Sequence, residues 1–265
     1  MPRVYWNGLP AGVREAVEAQ VGPVWTARTA VDGLNSEFAA FLYTAAGTVF
    51  AKGRPTDHPG VVTQRREAMI NPYVLDVAPR LLCQVEADGW NVLAFEYVHG
   101  QHADYSPGSG DLPKVVQAMR RLERIPCPDL PLKRAEQRWA CYVDNETALE
   151  FLRGDSLLHT DFNPLSILIS HDTTRIIDWA WPTRGAAFID PACLALRLIT
   201  AGHTPAEAEA WAGQSPAWSA APRSAIDTFA LANSRLWTQI ACDDPQPWKQ
   251  KTAAAARQWA NHRSH

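Results

Sequence analysis

Two aspartates lie in the most informative stretch of the chain, residues 157–181. Asp161 follows the apolar run 157–159, and Asp178 follows a second run at 175–177. An aspartate after an apolar strand and a turn is placed at the strand end, and a hairpin between two such strands can return both carboxylates to one edge. One carboxylate can then accept the proton of a nucleophilic hydroxyl, while the other holds a divalent metal that bridges phosphate oxygens. The spacing is therefore consistent with metal-assisted phosphoryl transfer.

The elements before this stretch have the pattern of an antiparallel β-meander with two helices. Helical periodicity predicts helices over 13–21 and 59–71, and Pro72 closes the second. Short turns of small residues, or Asp-Gly, separate the apolar strand segments. The predicted strands are 24–31, 38–43, 48–51, 80–85 and 92–98. Lys52 directly follows the third of them.

The second part of the chain is predicted to be mainly helical. Amphipathic helices are expected over 113–125 and 134–152, and further helices from Pro191 to the end, one of them started by Thr204-Pro205. Three short strands are expected at 157–159, 167–169 and 175–177. The chain is therefore predicted to be α+β, with a β-rich part of about 100 residues followed by a helical part.

Composition restricts the class of protein. The 265 residues carry 25 Lys and Arg against 28 Asp and Glu, a formal charge of −3, and 46% are hydrophobic. This composition is that of a globular protein, and it lacks the basic surface that nucleic-acid binding requires. The absence of a long apolar run, and a charged start, predict a cytoplasmic protein with no membrane partner. The five cysteines have no CxxC spacing and are expected to be reduced and buried, with no zinc site.

The motifs in this order resemble the aminoglycoside phosphotransferase-like branch of the protein-kinase-like fold. The pattern of that family has an H-x-D motif, a proline three residues after the aspartate, a metal ligand five residues after it, and an I-D-W or I-D-F motif. Here His159-Thr160-Asp161, Pro164 and Ile177-Asp178-Trp179 occupy those positions. The resemblance covers about residues 25–200, and the combined pattern is much more specific than any one motif.

The resemblance implies a two-lobed kinase-like fold. A small β-rich N-terminal lobe over 1–98 would bind nucleotide, with a hinge at about 95–100. A larger helical lobe over 101–265 would carry catalysis and the acceptor site. The implied cofactors are ATP and Mg²⁺.

The resemblance also implies roles for single residues. Asp161 would be the catalytic base and Asp178 the metal ligand. Lys52, at the end of Val49-Phe50-Ala51-Lys52, would hold the α and β phosphates and would be fixed by an ion pair with Glu67. Asp190, in Phe188-Ile189-Asp190-Pro191-Ala192, resembles the structural aspartate beyond the metal loop.

Four further positions complete the implied nucleotide site. Gly33 and Ser36, in Gly33-Leu34-Asn35-Ser36, lie where the nucleotide loop of the family lies. Backbone groups near Glu96 and Val98, in Phe95-Glu96-Tyr97-Val98, would bind adenine at the hinge.

One position departs from the pattern. The residue five after Asp161, which is asparagine in the family, is Ser166. Serine is shorter than asparagine, and its hydroxyl is a weaker metal ligand than an amide carbonyl oxygen. Either Ser166 reaches a metal through water, or one metal suffices, or phosphotransfer is impaired.

Each residue alone has a structural interpretation as well. Asp161 is typical of a turn or helix cap, Lys52 of a solvated strand end, and Glu67 of a solvated helix face. Gly33 and Ser36 are compatible with a simple hairpin turn. His159 is expected to pack and to form hydrogen bonds rather than to catalyse. The 11 tryptophans are expected to serve helix packing, with an aromatic wall for a substrate as the other interpretation.

The acceptor is predicted only by class. Neither 113–150 nor 201–265 is net acidic, so charge complementarity does not favour a polycationic acceptor. The sequence therefore predicts an ATP-dependent transfer to a hydroxyl of a small molecule, such as an antibiotic or other metabolite, or of a peptide. The alternative is a kinase-like binding or scaffold protein that has lost phosphotransfer and acts with a protein partner.

Overall fold

The computed structural model describes residues 3–30 and 36–264. The chain divides into two compact units, and β-strands dominate the first while helices dominate the second. The α+β class predicted from the sequence is confirmed. Unit 1 comprises Met1–Gly100 with Arg175–Ala180, and unit 2 comprises Gln101–Thr174 with Trp181–His265. The segment 175–180, which the sequence analysis placed in the second lobe, thus groups with unit 1. The functional roles given to the two lobes stay predictions.

Unit 1 is built on a five-stranded antiparallel sheet with the strand order β1-β2-β3-β5-β4. Its strands are β1 (Val24–Thr29), β2 (Phe38–Thr44), β3 (Gly47–Pro55), β4 (Leu81–Ala87) and β5 (Trp90–Glu96). In the centre of the sheet, Lys52 of β3 pairs with Leu93 of β5. Position 52 thus lies on a central strand, where the backbone is held on both sides.

One face of this sheet is covered by helix α1 (Ala11–Val21). Val13, Val17 and Val21 recur at helical spacing and pack in one core with alternate residues of the strands, such as Ala40 and Ala51. Because successive side chains of a strand point to opposite faces, burial of Ala51 in this core directs Lys52 to the other face. The apolar pattern of β3 therefore determines where Lys52 points.

Helix α2 (Val61–Ile70) places Glu67 on its inner side. Gln64, Glu67 and Ile70 are all buried and recur every three residues, so they share one helix face. A 3-10 turn at Asn71–Tyr73, which contains Pro72, follows the helix. The solvated position considered for Glu67 from the charged sequence around it is therefore wrong.

Unit 2 contains most of the helices. The helices are α3 (Leu112–Leu122), α4 (Ala135–Arg138), α5 (Glu146–Glu150), α6 (Ile189–Ala201), α7 (Pro205–Ala212), α8 (Pro216–Ala220), α9 (Arg223–Asp243) and α10 (Pro247–Arg263). Helix α6 has ten buried residues among its 13 and packs against α7, α9 and α10. Thr204 and Glu207 form a capping box at α7, as the Thr-Pro start predicted.

Short strands of unit 2 frame the loop that carries Asp161. The strands are β6 (Gln101–His102), β7 (Lys133–Arg134), β8 (Ser156–Leu158), β9 (Ile167–Ile169) and β11 (Thr183–Gly185), while β10 (Thr174–Ile176) begins at the last residue before the segment that groups with unit 1 and continues into it. β8 pairs with β11, which pairs with β7, while β6 pairs with β9. A 3-10 turn at Pro164–Ser166 precedes β9. Residues 159–163, which we call loop 159–163, therefore connect two anchored strands.

The structure corrects the predicted helix over 134–152. Lys133–Arg134 forms a strand, α4 lasts only four residues, and a 3-10 turn at Ala140–Tyr142 follows it. The Asn145 side chain then accepts a hydrogen bond from the backbone N–H of Ala148 and caps a separate helix, α5. The apolar residues keep a helical spacing across Asn145, which is why the sequence predicted one long helix. The structure instead starts a new helix there, because Asn145 caps its N-terminus.

The expectation of buried cysteines is wrong in part. All five cysteines are free, but Cys141 and Cys242 are exposed, and only Cys193 is fully buried. Tryptophans divide in a similar way: Trp179 and Trp259 are core residues, while Trp181 and Trp248 are exposed. Neither residue type therefore has a single structural role in this chain.

Within the described residues, no helix has the length and apolar character needed to cross a membrane.

Candidate active site

The first group of predicted site residues meets in unit 1. The Lys52 Nζ lies 2.6 Å from Glu67 Oε2 and 3.2 Å from Asp178 Oδ1. The side chains of Lys52 and Glu67 are 13% and 6% exposed, whereas that of Asp178 is 39% exposed. The lysine is thus held from the inner side by Glu67 and reaches a carboxylate that is partly exposed.

The charge on Lys52 is maintained by its partners. Burial disfavours the ammonium form, but the negative charges of Asp178 and Glu67 outweigh it, so the pKa of Lys52 lies above its ordinary value. Lys52 is therefore positively charged at every physiological pH, as a residue that binds phosphate oxygens must be.

The segment that carries Asp178 is fixed by backbone contacts within unit 1. The Ile176 N–H donates to Val77 O at 2.7 Å, and the Trp179 N–H donates to Glu67 Oε1 at 3.3 Å. Asp178 itself has φ of +65°, a conformation that residues other than glycine rarely adopt. The surrounding contacts hold this residue in a strained backbone, which is a common feature of functional sites.

The hinge residues lie at the end of β5. The Glu96 N–H donates to Arg80 O at 2.9 Å, so this amide is already used within the chain. Val98 follows the strand and is half-buried, and its N–H has no acceptor among the described residues. A Val98 amide in this state fits the donor that the resemblance implies for adenine.

The predicted nucleotide loop is only partly described. Gly33 lies outside the described residues, and Ser36, directly before β2, is half-buried. The role predicted for this pair stays a prediction.

In unit 2, Asp190 organises loop 159–163. Its carboxylate accepts the His159 N–H at 2.9 Å and the Thr160 N–H at 2.7 Å, and the residue is buried. Burial raises the pKa of the Asp190 carboxyl, while His159 and the two amide donors oppose that rise. Asp190 therefore has the structural role that the resemblance implied, because its carboxylate fixes the backbone of the two residues before Asp161.

Thr160 is the second strained position. Its φ is +65°, and its hydroxyl accepts a hydrogen bond from Arg138 at 2.6 Å. His159 is buried, its Nδ1 accepts the Asp161 N–H at 3.3 Å, and its ring packs against Phe162. His159 thus packs and forms hydrogen bonds, as expected, and the loop around Asp161 is held from three directions.

Asp161 itself contacts a residue that the sequence analysis did not identify. The Arg197 Nη2 lies 2.9 Å from Asp161 Oδ1, and the two side chains are 12% and 37% exposed. The Arg197 guanidinium also stacks over the Trp237 ring, with its carbon 4.8 Å from the ring centroid. Asp161 therefore combines a fixed orientation with access to solvent.

The position that departs from the family pattern is buried. The Asn163 side chain caps the 3-10 turn by accepting from the Leu165 N–H at 3.0 Å, and the Ser166 N–H donates to Asn163 O at 2.8 Å. Asn163 is therefore committed to the turn. Its use as a replacement ligand for Ser166 is not supported by this geometry.

The donor that lies partly exposed near Lys52 is a single carboxylate, that of Asp178. Among the described residues, no three His, Cys, Asp or Glu side chains converge as a metal cage. Mg²⁺ is usually bound by one or two carboxylates together with substrate phosphates and water. The partly exposed Asp178 beside Lys52 has this character, so the residues present fit a phosphate-bound magnesium ion.

Two surface cavities lie away from these residues. One of about 360 Å³ lies in unit 2 between α9, α10 and the 142–148 segment, and one of about 410 Å³ lies in unit 1 around Trp25. Neither contains a predicted site residue. The charged side chains of the first are paired with one another, for example Arg235 with Asp144 at 2.7 Å. We assign no catalytic role to either cavity.

Arg197 could have been identified from helical spacing. Within the apolar helix α6, Asp190 and Arg197 are the charged residues, and they are seven positions, about two turns, apart. Cys193, between them, donates from Sγ to Thr160 O at 3.7 Å. A line of polar residues on an otherwise apolar helix indicates a buried polar partner, and here the partner is loop 159–163.

Comparison with known proteins identifies the fold. The chain matches a crystal structure of choline kinase LicA from Streptococcus pneumoniae with a TM-score of 0.65 and 12% identity, over 94% of this chain and 98% of that chain. It matches aminoglycoside phosphotransferase APH(4)-Ia with a TM-score of 0.58 and 15% identity, over 93% and 98%. A choline/ethanolamine kinase family protein from Mesorhizobium loti gives 0.62 and 13%, over 95% and 98%.

The chain therefore has the protein-kinase-like fold in the form seen in aminoglycoside phosphotransferases and choline kinases, as the sequence motifs predicted. Structures of this group include LicA with AMP and APH(4)-Ia with ADP and hygromycin B. No protein-family model matches the sequence, and no curated protein matches it. At these identities the likeness establishes the fold, and the activity has to be argued from the site.

Proposed function

We propose that this protein is an ATP- and Mg²⁺-dependent phosphotransferase that moves the γ-phosphate to a hydroxyl of a small molecule or a peptide. The observation that carries the proposal is the contact of Lys52 with the buried Glu67 and with the partly exposed carboxylate of Asp178. A buried ion pair is weak evidence for stability alone, because desolvation offsets much of its attraction. A fixed lysine beside an accessible, strained aspartate is more useful for binding a metal-bound polyphosphate than for folding.

On the nucleotide side, the residues of unit 1 bind and orient. Lys52 donates to the α and β phosphates, and Glu67 keeps the ammonium group in place. The Val98 N–H and a carbonyl near Glu96 bind the adenine edge. Asp178 holds Mg²⁺, which, when bound, supplies positive charge to the phosphate oxygens.

On the acceptor side, Asp161 is the general base. The acceptor O–H bond breaks as its proton passes to the Asp161 carboxylate, and the acceptor oxygen forms a bond to the γ-phosphorus. The bond from that phosphorus to the ADP oxygen breaks, so the products are ADP and the phosphorylated acceptor, and the proton then passes to solvent. General-base contributions of this kind are worth about 10²–10⁴ in rate.

The proposal is tested first by binding and then by turnover. Calorimetric titration with ATP is expected to show Mg²⁺-dependent binding to the wild-type protein and its loss in Lys52→Ala. Release of ADP, measured with a panel of hydroxylated acceptors, is expected to disappear in Asp161→Asn and Asp178→Ala. Unchanged rates in both variants, with the folds intact by circular dichroism, would refute the mechanism.

A second function is favoured by one observation, the serine at position 166. If the weaker ligand removes phosphotransfer, the chain is a kinase-like binding protein that acts with a protein partner. Binding of ATP without dependence on Mg²⁺ would support this function. The Ser166→Asn variant decides between the two: a large gain in ADP release indicates an impaired site, and an unchanged rate indicates that Ser166 is compatible with turnover.

A further inference from the structure

One face of helix α6 is directed at loop 159–163. Asp190, Cys193 and Arg197 recur at positions i, i+3 and i+7, which places them on the same side of the helix. Asp190 holds the His159 and Thr160 amides, and Arg197 holds the side chain of the next residue, Asp161. A single rigid helix thus fixes both the backbone and the carboxylate at the site of proton transfer.

The two oxygens of Asp161 are not equivalent. Oδ1 accepts from the Arg197 Nη2 at 2.9 Å, and among the described residues no hydrogen bond reaches Oδ2. A carboxylate that is free at both oxygens rotates about its terminal bond, whereas one that is held at Oδ1 presents Oδ2 in a defined direction. We propose that Arg197 is a positioning residue for the base, and that Oδ2 of Asp161 takes the acceptor proton.

The position of Arg197 is itself fixed from its other side. Its guanidinium lies over the Trp237 ring of α9, and only 12% of the side chain is exposed. The surface pair of Arg153 with Glu150 is very different, with side chains that are 54% and 60% exposed. Exposed pairs of that kind move freely and contribute little. Arg197 is held by an aromatic face, so the direction of its N–H groups is preset.

This inference rests on the proposed function, because a base needs positioning only if Asp161 accepts a proton. Its test is the steady-state release of ADP by the full chain, with kcat and the KM for ATP measured separately. In Arg197→Met, kcat is expected to fall about 10–100-fold, a part of the contribution of a general base, while the KM for ATP stays within about twofold. Arg197→Lys is expected to be intermediate, because lysine keeps the charge but loses the planar fork.

Chemical rescue separates positioning from a purely structural role. In Arg197→Ala, millimolar guanidinium chloride is expected to restore part of the lost kcat, because the free guanidinium ion can occupy the space over the Trp237 ring that the arginine side chain filled. The same concentration of sodium chloride is not expected to restore it. Arg153→Ala, which breaks an exposed ion pair, is the matched control and is expected to retain wild-type kcat with or without guanidinium.

Failure of the proposed function can be distinguished from failure of the inference about Arg197. Wild-type-like ADP release in Asp161→Asn, or no release by the wild-type protein, overturns the proposed function and this inference with it. Loss of release in Asp161→Asn, together with normal kcat in Arg197→Met, overturns the inference alone. A raised KM for ATP at unchanged kcat also overturns it, because Arg197 would then contact nucleotide. A kcat loss in Arg197→Ala that guanidinium does not restore, accompanied by a large fall in Tm, assigns Arg197 to folding instead.

Discussion

Replacing Asp190 with alanine removes the acceptor of two backbone hydrogen bonds in loop 159–163. The His159 and Thr160 N–H groups donate to its two carboxylate oxygens at 2.9 and 2.7 Å, and the carboxylate is buried. The variant leaves both amides without the acceptor that they have in the wild-type protein. It also removes the groups that hold Thr160 at φ of +65°. We therefore expect the loop to lose its order before the rest of unit 2 does.

The magnitude follows from the two contacts. A hydrogen bond to a charged group contributes about 1.5–3 kcal/mol, so the pair contributes roughly 3–6 kcal/mol. Burial raises the pKa of the Asp190 carboxyl, which means that the charged form is itself costly in the fold, so the lower end of this range applies. A loss of about 3 kcal/mol corresponds to a fall in Tm on the order of 10 °C for a chain of this length.

Amide hydrogen exchange measures the effect where it arises. Peptides that contain residues 159 and 160 are expected to exchange roughly 100-fold faster in Asp190→Ala, the equivalent of about 3 kcal/mol in local opening. Peptides from the sheet of unit 1 are expected to be unchanged. The control Asp172→Ala alters a side chain that is 83% exposed and is expected to change neither exchange nor Tm.

The result that would refute this reasoning is a variant with wild-type Tm and wild-type exchange at residues 159 and 160. It would show that the two amides find other partners and that Asp190 does not fix the loop. If Asp190→Ala does not fold, Asp190→Asn keeps one acceptor oxygen and is expected to show about half of the effect. Wild-type exchange in that variant would contradict the argument equally.

Three further predictions concern charge. Glu67→Gln leaves Lys52 paired with Asp178 alone, so the free energy of unfolding is expected to fall by up to about 3 kcal/mol. Calorimetry is expected to show weaker binding of ATP, and an unchanged affinity for ATP would contradict the role of Glu67. Burial raises the pKa of Glu123, so at pH values above its ordinary pKa of 4.5 the ionised side chain destabilises the fold. Glu123→Gln is therefore expected to raise Tm at neutral pH, and the gain in Tm is expected to shrink as the pH falls toward 4.5. Arg197 and Asp161 neutralise each other at 2.9 Å, so ethanolamine and glycerate are expected to differ by less than about threefold in kcat/KM, and a tenfold preference for either in an ADP-release assay would contradict this.

The parts of the structure that depend on short-range pattern were predictable. The alternation of β2 and β3 and the spacing of Val13, Val17 and Val21 fixed which faces are buried, and this determines the direction of Lys52. The spacing of Asp161 and Asp178 after apolar runs placed both in the loops that follow short strands, although each strand begins and ends about one residue earlier than predicted. Periods of two and 3.6 residues are local properties, so a single sequence contains them.

The parts that depend on a distant partner were not predictable. Arg197 meets Asp161 across 36 positions, and although the polar residues on α6 indicate a buried polar partner, the sequence does not show that this partner is Asp161. At Asn145 the sequence is compatible with a continuous helix and with a new helix start, and the structure has the new helix start. The exposure of Cys141 and Cys242 depends on which sides of the neighbouring helices are covered. Tertiary packing decides all three, and local pattern does not encode it.

Positive backbone φ occurs directly before Asp161 and at Asp178. Among the described residues, three that are not glycine have positive φ: Asp88, in the hairpin turn between β4 and β5, and the two site positions Thr160 and Asp178. A hairpin turn requires such a conformation, whereas a β-branched threonine in it costs on the order of 1–3 kcal/mol. In unit 2 the buried carboxylate of Asp190 maintains that strain, and in unit 1 the Lys52 pair and the Trp179 amide contact maintain it at Asp178. Aspartate adopts positive φ more readily than threonine does, so the costly position is Thr160, directly before the proposed base. Backbone strain is concentrated at functional sites, and its position here agrees with the role proposed for Asp161.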